Sequence, residues 1–309
     1  MSKLLFCTGE GIGNVIQTIP VIRTIKEVLG YSVDLWHAYG TFKISGKLIP
    51  YVDKWIVAGQ ISNINDREYD GVVTTLWTQS AMSRGPLAKL PVFNTTEPRL
   101  SMYRSEVDTY MDIARQLGAE ENKILWWGKC NYGETEEKFD IVIHDGYNRH
   151  SPMRWDIKSY PYYEKVVEYF DGLKICSIGA KEEYIKDTDD KTGLGLPESL
   201  GLIKNCRLFL SNDSGLYHCA NALEKDNVVI FTATSIAKNY DSRFHKYSTI
   251  ICRDDLECRK DCQKKSGWKN SCNDWQCREI DPKVILHGIK QIITTRFMSD
   301  ASEAYDKNE

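Results

Sequence analysis

The sequence predicts an α/β protein with two doubly wound domains, each built from a parallel sheet covered by helices. Strand-like apolar runs alternate with helical patterns from the start of the chain, and a second series of the same kind begins near residue 138. The length of 309 residues also suits two domains of ordinary size. Open α/β sheets bind ligands at the carboxyl ends of their strands, so two such domains predict a ligand-binding cleft.

The alternating pattern divides the chain into three parts. We place an N-terminal domain at residues 1–137 and a C-terminal domain at residues 138–285, with a cysteine-rich segment at 252–277. A C-terminal helix and a disordered tail are predicted at 286–309. The predicted strands are 4–7, 32–36, 53–57, 71–76, 139–144, 173–178, 207–210 and 227–232. The main predicted helices are 15–29, 104–117, 162–170 and 196–203. Within the first of these, Pro20 predicts a kink or a helix start near Thr18.

Composition excludes several classes of protein. Lys and Arg number 40 and Asp and Glu 43, a net charge of −3 that argues against coating nucleic acid through bulk positive charge. Hydrophobic residues make up 42% and charged residues 27%, values typical of a globular protein. No apolar stretch is long enough to span a bilayer, and the first residues do not form a signal peptide. We therefore expect a cytoplasmic protein without a transmembrane segment.

A glycine-rich turn, Gly9-Glu10-Gly11-Ile12-Gly13, follows the first strand and opens a helix. Free backbone N–H groups at such a position favour an anion. The spacing differs from the G-x-G-x-x-G of dinucleotide-binding proteins, and no acidic residue closes a second strand about 20 residues later. A turn that lets helix and strand pack closely explains the glycines equally well.

A second turn, Asn212-Asp213-Ser214-Gly215, follows a buried strand and precedes a helix that carries His218. Free N–H groups and the Ser214 hydroxyl suit a diphosphate, and His218 lies within reach of the same charge. The alternative is that Asp213 or Ser214 caps the helix and that His218 is a core histidine.

These motifs resemble those of glycosyltransferase family nine, the heptosyltransferases of lipopolysaccharide assembly. The resemblance is carried by residues 11–20, by Lys158-Ser159-Tyr160-Pro161, by the 212–215 turn with His218, and by the cysteine-rich segment, in family order. It implies the GT-B fold, in which two Rossmann-like domains face each other across a cleft. The acceptor would bind the N-terminal domain and the nucleotide-sugar donor the C-terminal one, with inverting transfer and no catalytic metal.

The resemblance also assigns roles to individual residues. Lys158 would stabilise the charge of the leaving nucleotide as a catalytic residue. An acidic residue near the donor ribose is Glu182 or Glu183, and the spacing favours Glu183. The remaining donor-binding residues are Gly11, Gly13, Gly146, Tyr147, Asn148, Asp213, Ser214, Gly215 and His218.

The chain departs from the family at Asn14, where the heptosyltransferases carry an aspartate that acts as general base. An amide does not accept a proton near neutral pH, so Asn14 cannot perform that step. Glu10 in the same loop is the candidate base, and its alternative is a solvent-facing turn residue. We therefore assign Glu10, Asn14 and Lys158 to the catalytic machinery.

The cysteine-rich segment suggests a structural zinc site made by Cys258, Cys262, Cys272 and Cys277. Small buried residues or redox-linked thiols are the alternative. Between Cys258 and Arg278, six basic and two acidic residues lie together with Trp268 and Trp275. This composition suits an anionic acceptor or a nucleic acid, although a solvated loop has the same composition.

The sequence therefore predicts transfer of a sugar from a nucleotide-diphosphate donor to a hydroxyl of a glycan, a lipid-linked or a nucleic-acid acceptor, with no cofactor required for catalysis. One alternative is a glycosyltransferase acting on a modified base or another polymer. A second is a non-catalytic nucleotide-sugar-binding protein, which Asn14 makes credible. A third is an NAD-dependent epimerase or oxidoreductase.

Overall fold

A computed structural model describes residues 2–9, 11–37, 45–56, 64–75, 86–95, 103–149, 155–258, 272 and 274–293. The chain forms two compact units. The first consists of residues 1–134, 215–224 and 235–246, and the second of residues 135–214, 225–234 and 247–309. Each unit contains one parallel sheet, so the predicted α/β class with two doubly wound sheets is confirmed.

Within its described residues, the first unit has a five-stranded parallel sheet in the order β3-β2-β1-β4-β5. Its strands are β1 Lys3–Thr8, β2 Ser32–His37, β3 Lys54–Ile56, β4 Gly71–Thr74 and β5 Val92–Asn94. The central strand β1 is also the most apolar, and residues 4–7 are fully shielded from solvent. A strand covered on both faces requires such a continuous apolar run.

The second unit has a six-stranded parallel sheet in the order β11-β10-β9-β6-β7-β8, counted over its described residues. Its strands are β6 Ile141–His144, β7 Ile175–Gly179, β8 Asp189–Thr192, β9 Leu208–Asn212, β10 Asn227–Phe231 and β11 Ser248–Cys252. The polar strand β8 was missed because its sequence resembles a loop. It pairs with β7 alone, at the edge of the sheet, where exposed polar side chains are tolerated.

The described helices follow the predicted pattern, except that one predicted helix is divided into two. They are α1 Ile12–Gln17, α2 Ile19–Glu27, α3 Glu106–Gln116, α4 Tyr163–Val167, α5 Leu196–Asn205, α6 Gly215–Ala222, α7 Ile236–Asn239 and α8, residues 282–293. The predicted helix 15–29 is interrupted at Thr18, whose hydroxyl donates to the carbonyl of Val15 at 2.6 Å. Pro20 lies in the first turn of α2, where its missing N–H leaves no hydrogen bond unmade.

Helix α8 contributes Ile285 and Ile289 to the hydrophobic core of the second unit. The same core contains Ile143 from β6, Leu210 from β9 and Ile230 from β10. The sheet that carries the Asp213 turn is therefore supported by a continuous apolar layer. None of the helices that the structure describes is both long and apolar enough to cross a bilayer.

Candidate active-site residues

In the second unit, β6 and β9 are adjacent parallel strands, and His144 pairs in register with Ser211. The loops that follow these strands therefore emerge at the same edge of the sheet, where open α/β sheets bind ligands. Asn212 is fully buried, and its side-chain amide donates to the carbonyl of Gly146 at 3.0 Å. This bond ties the predicted phosphate loop after β6 to the turn after β9.

Lys158 and Asp213 form an ion pair at this edge. The Lys158 ammonium lies 3.1 Å from Oδ2 of Asp213, and the two side chains are 16% and 2% exposed. The same ammonium lies 4.6 Å from the ring centroid of Trp155. Asp213 thus fixes the orientation of a partly exposed cation, and such a cation is suited to a phosphate group.

The backbone amide of Asp213 donates to Ile230 at 3.1 Å and so belongs to the sheet. The carboxylate of Asp213 has no attraction for an anion. Asp213 therefore suits a phosphate site through Lys158, whose position it holds, and not through a donor group of its own.

Ser214 is connected to a row of buried polar side chains. Its hydroxyl lies 3.1 Å from Nδ1 of His144, and Nε2 of His144 lies 3.5 Å from Oε2 of Glu183. The other oxygen of Glu183 accepts from Nε of Arg149 at 3.2 Å. Ser214 and Glu183, which sequence analysis selected separately, are thus joined by His144.

The electrostatics of this row keep Glu183 ionised. Burial alone would raise the pKa of its carboxyl, but His144, the backbone N–H of Ala180 and Arg149 outweigh burial, and the pKa lies below its usual value. A carboxylate in this state can accept hydrogen bonds from the hydroxyls of a ribose. The geometry is therefore compatible with the predicted role of Glu183.

Two glycines leave room for the side chains of His144 and Glu183. A Cβ atom at Gly146 would lie 1.9 Å from Nε2 of His144, and one at Gly179 would lie 2.1 Å from Oε2 of Glu183. Gly179 also has a φ of +123°, a conformation that favours glycine. Gly146 is therefore needed for packing against His144, whatever contact it makes with a ligand.

Tyr147 and Arg149 form a pair beside the row. Nη1 of Arg149 donates to the Tyr147 hydroxyl at 2.8 Å, and its guanidinium lies 4.2 Å from the ring centroid of that tyrosine. Asn148 between them is exposed. Tyr147 and Asn148 were predicted from the sequence, whereas Arg149 was not, because a single arginine in a loop carries no recognisable pattern.

In the first unit, Asn14 lies on α1 and is held by a buried carboxylate. Its Nδ2 donates to Oε1 of Glu106 at 2.6 Å, and Glu106 is 1% exposed. Gln17 and the hydroxyl of Tyr110 also donate to Glu106, at 3.2 and 3.0 Å. The ammonium of Lys238 lies 3.8 Å from the same carboxylate. The candidate base Glu10 lies outside the described residues.

Gly13, Gly215 and His218 also belong to the first unit, where α1 packs against α6. A Cβ atom at Gly13 would lie 2.9 Å from Cδ2 of His218, and one at Gly215 would lie 3.2 Å from the backbone nitrogen of Gly13. Both glycines therefore allow a close helix contact, and the packing explanation of the glycine turn holds for them. Gly11 differs, since the nearest atom to a Cβ there is Oδ1 of Asn14 at 3.9 Å.

Only three of the four cysteines of the predicted metal site lie among the described residues. Cys258 is exposed, Cys272 is half-buried and Cys277 is buried, whereas Cys262 lies outside the described residues. Cys277 packs in a small apolar cluster with Ile157. Among the residues that the structure describes, no three His, Cys, Asp or Glu side chains are grouped as a metal site would require. The four-cysteine site stays a prediction.

Comparison with known proteins relates the chain to one family. The sequence model of glycosyltransferase family 9 (heptosyltransferase) matches residues 191–271, which include the 212–215 turn and His218. Lipooligosaccharide heptosyltransferase 2 of Haemophilus ducreyi is 27% identical over 158 residues. That alignment covers 44% of this chain and 44% of the relative's length.

Solved structures show a similar fold over nearly the whole chain. ADP-heptose LPS heptosyltransferase II of E. coli matches with a TM-score of 0.69 and 15% identity, over 96% of this chain and 99% of its own. The iron-containing dodecameric glycosyltransferase TibC of enterotoxigenic E. coli matches with a TM-score of 0.62 and 12% identity, over 95% of this chain and 76% of its own. The fold is therefore GT-B, and the family resemblance is confirmed.

Proposed function

We propose that this chain belongs to glycosyltransferase family 9 and moves a sugar from a nucleoside-diphosphate sugar to an acceptor hydroxyl. We further propose that the anomeric carbon is inverted in a single displacement and that no metal takes part. The observation that supports the proposal best is the Lys158–Asp213 pair at the carboxyl edge of the second sheet. The adjoining row from Ser214 to Glu183 supports it further.

The leaving group explains why a lysine is needed. When the acceptor oxygen bonds to the anomeric carbon, the bond from that carbon to the phosphate oxygen breaks and its electron pair passes to the diphosphate. Lys158 then faces a growing negative charge, which a preoriented ammonium stabilises without reorganising. Asp213 supplies the preorientation, because it holds Nζ at 3.1 Å.

The acceptor side requires a group that takes the proton of the attacking hydroxyl. Asn14 cannot accept that proton, and Glu106 is buried and already receives hydrogen bonds from Asn14, Gln17 and Tyr110. We assign Glu10 as the general base that takes this proton, and we give Asn14 the role of holding the acceptor. Glu106 then acts as a positioning residue for the Asn14 amide.

The relatives suggest which substrates to test first. One structural neighbour is an ADP-heptose LPS heptosyltransferase, and the matched relative is a lipooligosaccharide heptosyltransferase. We therefore propose ADP-heptose as donor and a lipid-linked glycan as acceptor. The basic segment that suggested a nucleic-acid acceptor lies mostly outside the described residues, so the structure adds no support for that alternative.

A structural metal at the cysteine-rich segment is a separate proposal. The neighbour TibC is described as iron-containing, so we extend the metal from zinc to zinc or iron. Its four proposed ligands are thiolates, which suit either ion. No step of the reaction is assigned to it.

The decisive experiment measures donor binding and transfer with Lys158→Ala. We expect ADP to raise the melting temperature of the native protein and the variant to lose most of that shift. Transfer should fall roughly 10²- to 10³-fold, as for other single groups that stabilise developing charge. Lys165→Ala is the matched control, because Lys165 is an exposed lysine of the same unit that lies over Tyr162.

Equal loss in both lysine variants, or full transfer in Lys158→Ala, would contradict the proposal. The anomeric configuration of the product, read by NMR, tests inversion independently. Retention of the donor configuration would rule out a single displacement.

A further inference from the structure

Asp145 is the first residue after strand β6, and it contacts the segment that carries Lys158. Its Oδ2 accepts from the Ser159 hydroxyl at 2.8 Å, and its Oδ1 accepts from the backbone N–H of Tyr160 at 3.2 Å. Lys158 directly precedes these two residues in the chain. Both oxygens of one carboxyl group therefore hold the two residues that follow the lysine.

The chain is also held on the other side of Lys158, which ends a single 3₁₀ turn, Trp155–Lys158. The hydroxyl of Thr232, the residue after β10, donates to the carbonyl of Ile157 at 2.6 Å, and Ile157 is buried. The backbone is thus fixed one residue before the lysine by a contact at the edge of the sheet. Asp145 fixes it one and two residues after the lysine.

Asp145 and Asp213 leave the sheet at the same edge. His144 pairs in register with Ser211, so Asp145 lies one position and Asp213 two positions beyond this pair of adjacent parallel strands. One aspartate holds the chain next to Lys158, and the other lies 3.1 Å from its ammonium. A lysine has a flexible four-carbon stem, so a charge partner places its ammonium only where the backbone is also fixed.

The Asp145 carboxyl is ionised at neutral pH, since burial raises its pKa only to about 6. Both oxygens are then acceptors, which matches the two donors that they meet. A carboxylate does not attract a diphosphate. A favourable effect of Asp145 on a phosphorylated ligand therefore passes through the residues that it holds.

We propose that Asp145 is a positioning residue for Lys158, which holds Ser159 and the backbone of Tyr160 so that the ammonium stays beside Asp213 and meets the diphosphate of the donor. This inference rests on the proposed function for the ligand of Lys158, but not for the placement of the lysine. A side chain that only stabilised the fold would make the same hydrogen bonds. The behaviour of Lys158 separates the two roles.

The placement of Lys158 is measured without a ligand, by the rate at which acetic anhydride acetylates it in the native protein. Its side chain is now 16% exposed beside Asp213. We expect Asp145→Ala to raise this rate severalfold, because the released lysine becomes more accessible. Asp145→Asn should leave the rate nearly unchanged, since an amide can accept from the N–H of Tyr160 and donate to the Ser159 oxygen. Mass spectrometry of peptides measures both rates.

Lys191 is the internal control for this measurement. It lies in the same unit, is 28% exposed and pairs with Glu137 at 2.6 Å. Its acetylation should be equal in the wild type and in both variants. Unchanged acetylation of Lys158 in Asp145→Ala would overturn the proposal. A rise of the same size at Lys191 would do so too, because it would show a general loosening of the unit.

The consequence for the ligand is tested with ADP in a double-mutant cycle of Asp145→Ala and Lys158→Ala. We expect Asp145→Ala to weaken ADP binding about tenfold, within the range for coupled residues of one network. In the Lys158→Ala background the same change should have little further effect, because the positioned ammonium is absent. The KM for the donor should rise in Asp145→Ala while the KM for the acceptor stays unchanged. Additive losses would overturn the proposal.

The two proposals fail in different ways. If ADP does not bind the wild type but Asp145→Ala exposes Lys158, the proposed function fails and the positioning role stands. If the wild type and Asp145→Ala bind ADP equally well, the positioning role toward the diphosphate is wrong and the proposed function stands.

A second variant covers the case in which Asp145→Ala does not fold. Ser159→Ala removes one of the two contacts of Asp145 and keeps the other. It should raise the acetylation of Lys158 and weaken ADP binding, each by less than the loss of both contacts would. No change in either quantity would overturn the proposal.

Discussion

Gly11 and Gly13 lie two residues apart at the start of α1, yet a side chain would have different effects at the two positions. At Gly13 the added methyl would meet the buried ring of His218 at 2.9 Å, whereas at Gly11 its nearest neighbour is 3.9 Å away. Gly11 has a φ of −67°, which alanine adopts freely. The requirement for glycine at residue 13 is therefore a packing requirement.

We expect Gly13→Ala to lower the free energy of unfolding by about 1 to 3 kcal/mol, the usual range for overpacking. Gly11→Ala should change it by less than about 1 kcal/mol, because the restriction of the unfolded chain and the weaker capping by alanine at the N-cap of α1 oppose each other. Urea denaturation of both variants measures the difference. Equal destabilisation would show that His218 moves aside easily.

Asp145 makes stability depend on pH in an unusual direction. Burial raises the pKa of its carboxyl to about 6, in spite of hydrogen bonds from Ser159 and the backbone N–H of Tyr160. An unfolded aspartate titrates near roughly 3.9. Between these values the folded protein holds a proton that the unfolded chain has lost, so this group's contribution to stability falls as pH rises from about 4 through 6.

Asp145→Asn should remove that dependence. Relative to the variant, the wild type should lose about 2 to 3 kcal/mol of unfolding free energy between pH 4 and pH 7. Asp190→Asn is the control with the opposite sign, because hydrogen bonds from Thr192 lower the pKa of Asp190. Parallel stability curves for wild type and Asp145→Asn would show that Asp145 titrates normally.

Site residues that lie in a recognisable motif were predicted from the sequence, and residues outside such motifs were not. Lys158 and Asp213 were selected 55 positions apart because each lies in a short motif, and the structure places them 3.1 Å apart. Glu106 and Arg149 were missed, because each is an ordinary residue in its own segment. Their importance arises from buried partners, and burial is a property of the folded chain.

At the scale of elements, the beginning of α3 supports helix α1. Glu106 lies in the first turn of this helix, where a carboxylate also interacts well with the helix dipole. It accepts from Asn14 at 2.6 Å and from Gln17 at 3.2 Å, and both belong to α1. Helix α3 and helix α1 are therefore joined by one buried carboxylate.

We expect Glu106→Ala to lower the free energy of unfolding by about 3 kcal/mol, because it leaves buried donors without an acceptor. Glu121→Gln is the comparison, since Glu121 pairs with Arg115 but is 63% exposed, and it should lose at most about 1 kcal/mol. Chemical denaturation measures both. A loss in Glu106→Ala no larger than in the control would contradict the supporting role.

Element boundaries were predicted well where hydrophobic periodicity is strong and poorly where tertiary context decides. The predicted helix 104–117 and the observed Glu106–Gln116 nearly coincide, because its capping serine and its apolar face are local signals. Strand β8, Asp189–Thr192, is polar throughout. Only its pairing with β7 makes it a strand, and pairing leaves no periodic pattern in so short a segment.

At the scale of the whole molecule, the order of strands and helices predicted two parallel sheets but not which helix belongs to which unit. We placed a division at 137/138, whereas residues 215–224 and 235–246 form part of the first compact unit. Helix α6 is in that unit because Gly215 and Gly13 let it pack closely against α1. Such a contact joins residues about 200 positions apart, so sequence order does not indicate it.

The cysteine-rich segment gives the last prediction, which concerns the intact chain. Four thiolates can hold one metal ion and so stabilise the segment that carries them. We expect the full-length protein, purified without chelator, to contain about one equivalent of zinc or iron, measured by mass spectrometry of the elements. The proposed ligands are Cys258, Cys262, Cys272 and Cys277.

Cys272→Ser should lose the metal, while Cys252→Ser should keep it, since Cys252 lies in strand β11 and is outside the proposed set. Metal loss in Cys252→Ser would show that the ligand set is wrong, and metal-free wild type would rule out the site. Because no catalytic step is assigned to the ion, a chelator should remove it without changing the transfer rate per folded molecule. A proportional loss of rate and metal, with the fold intact by circular dichroism, would contradict metal-independent transfer.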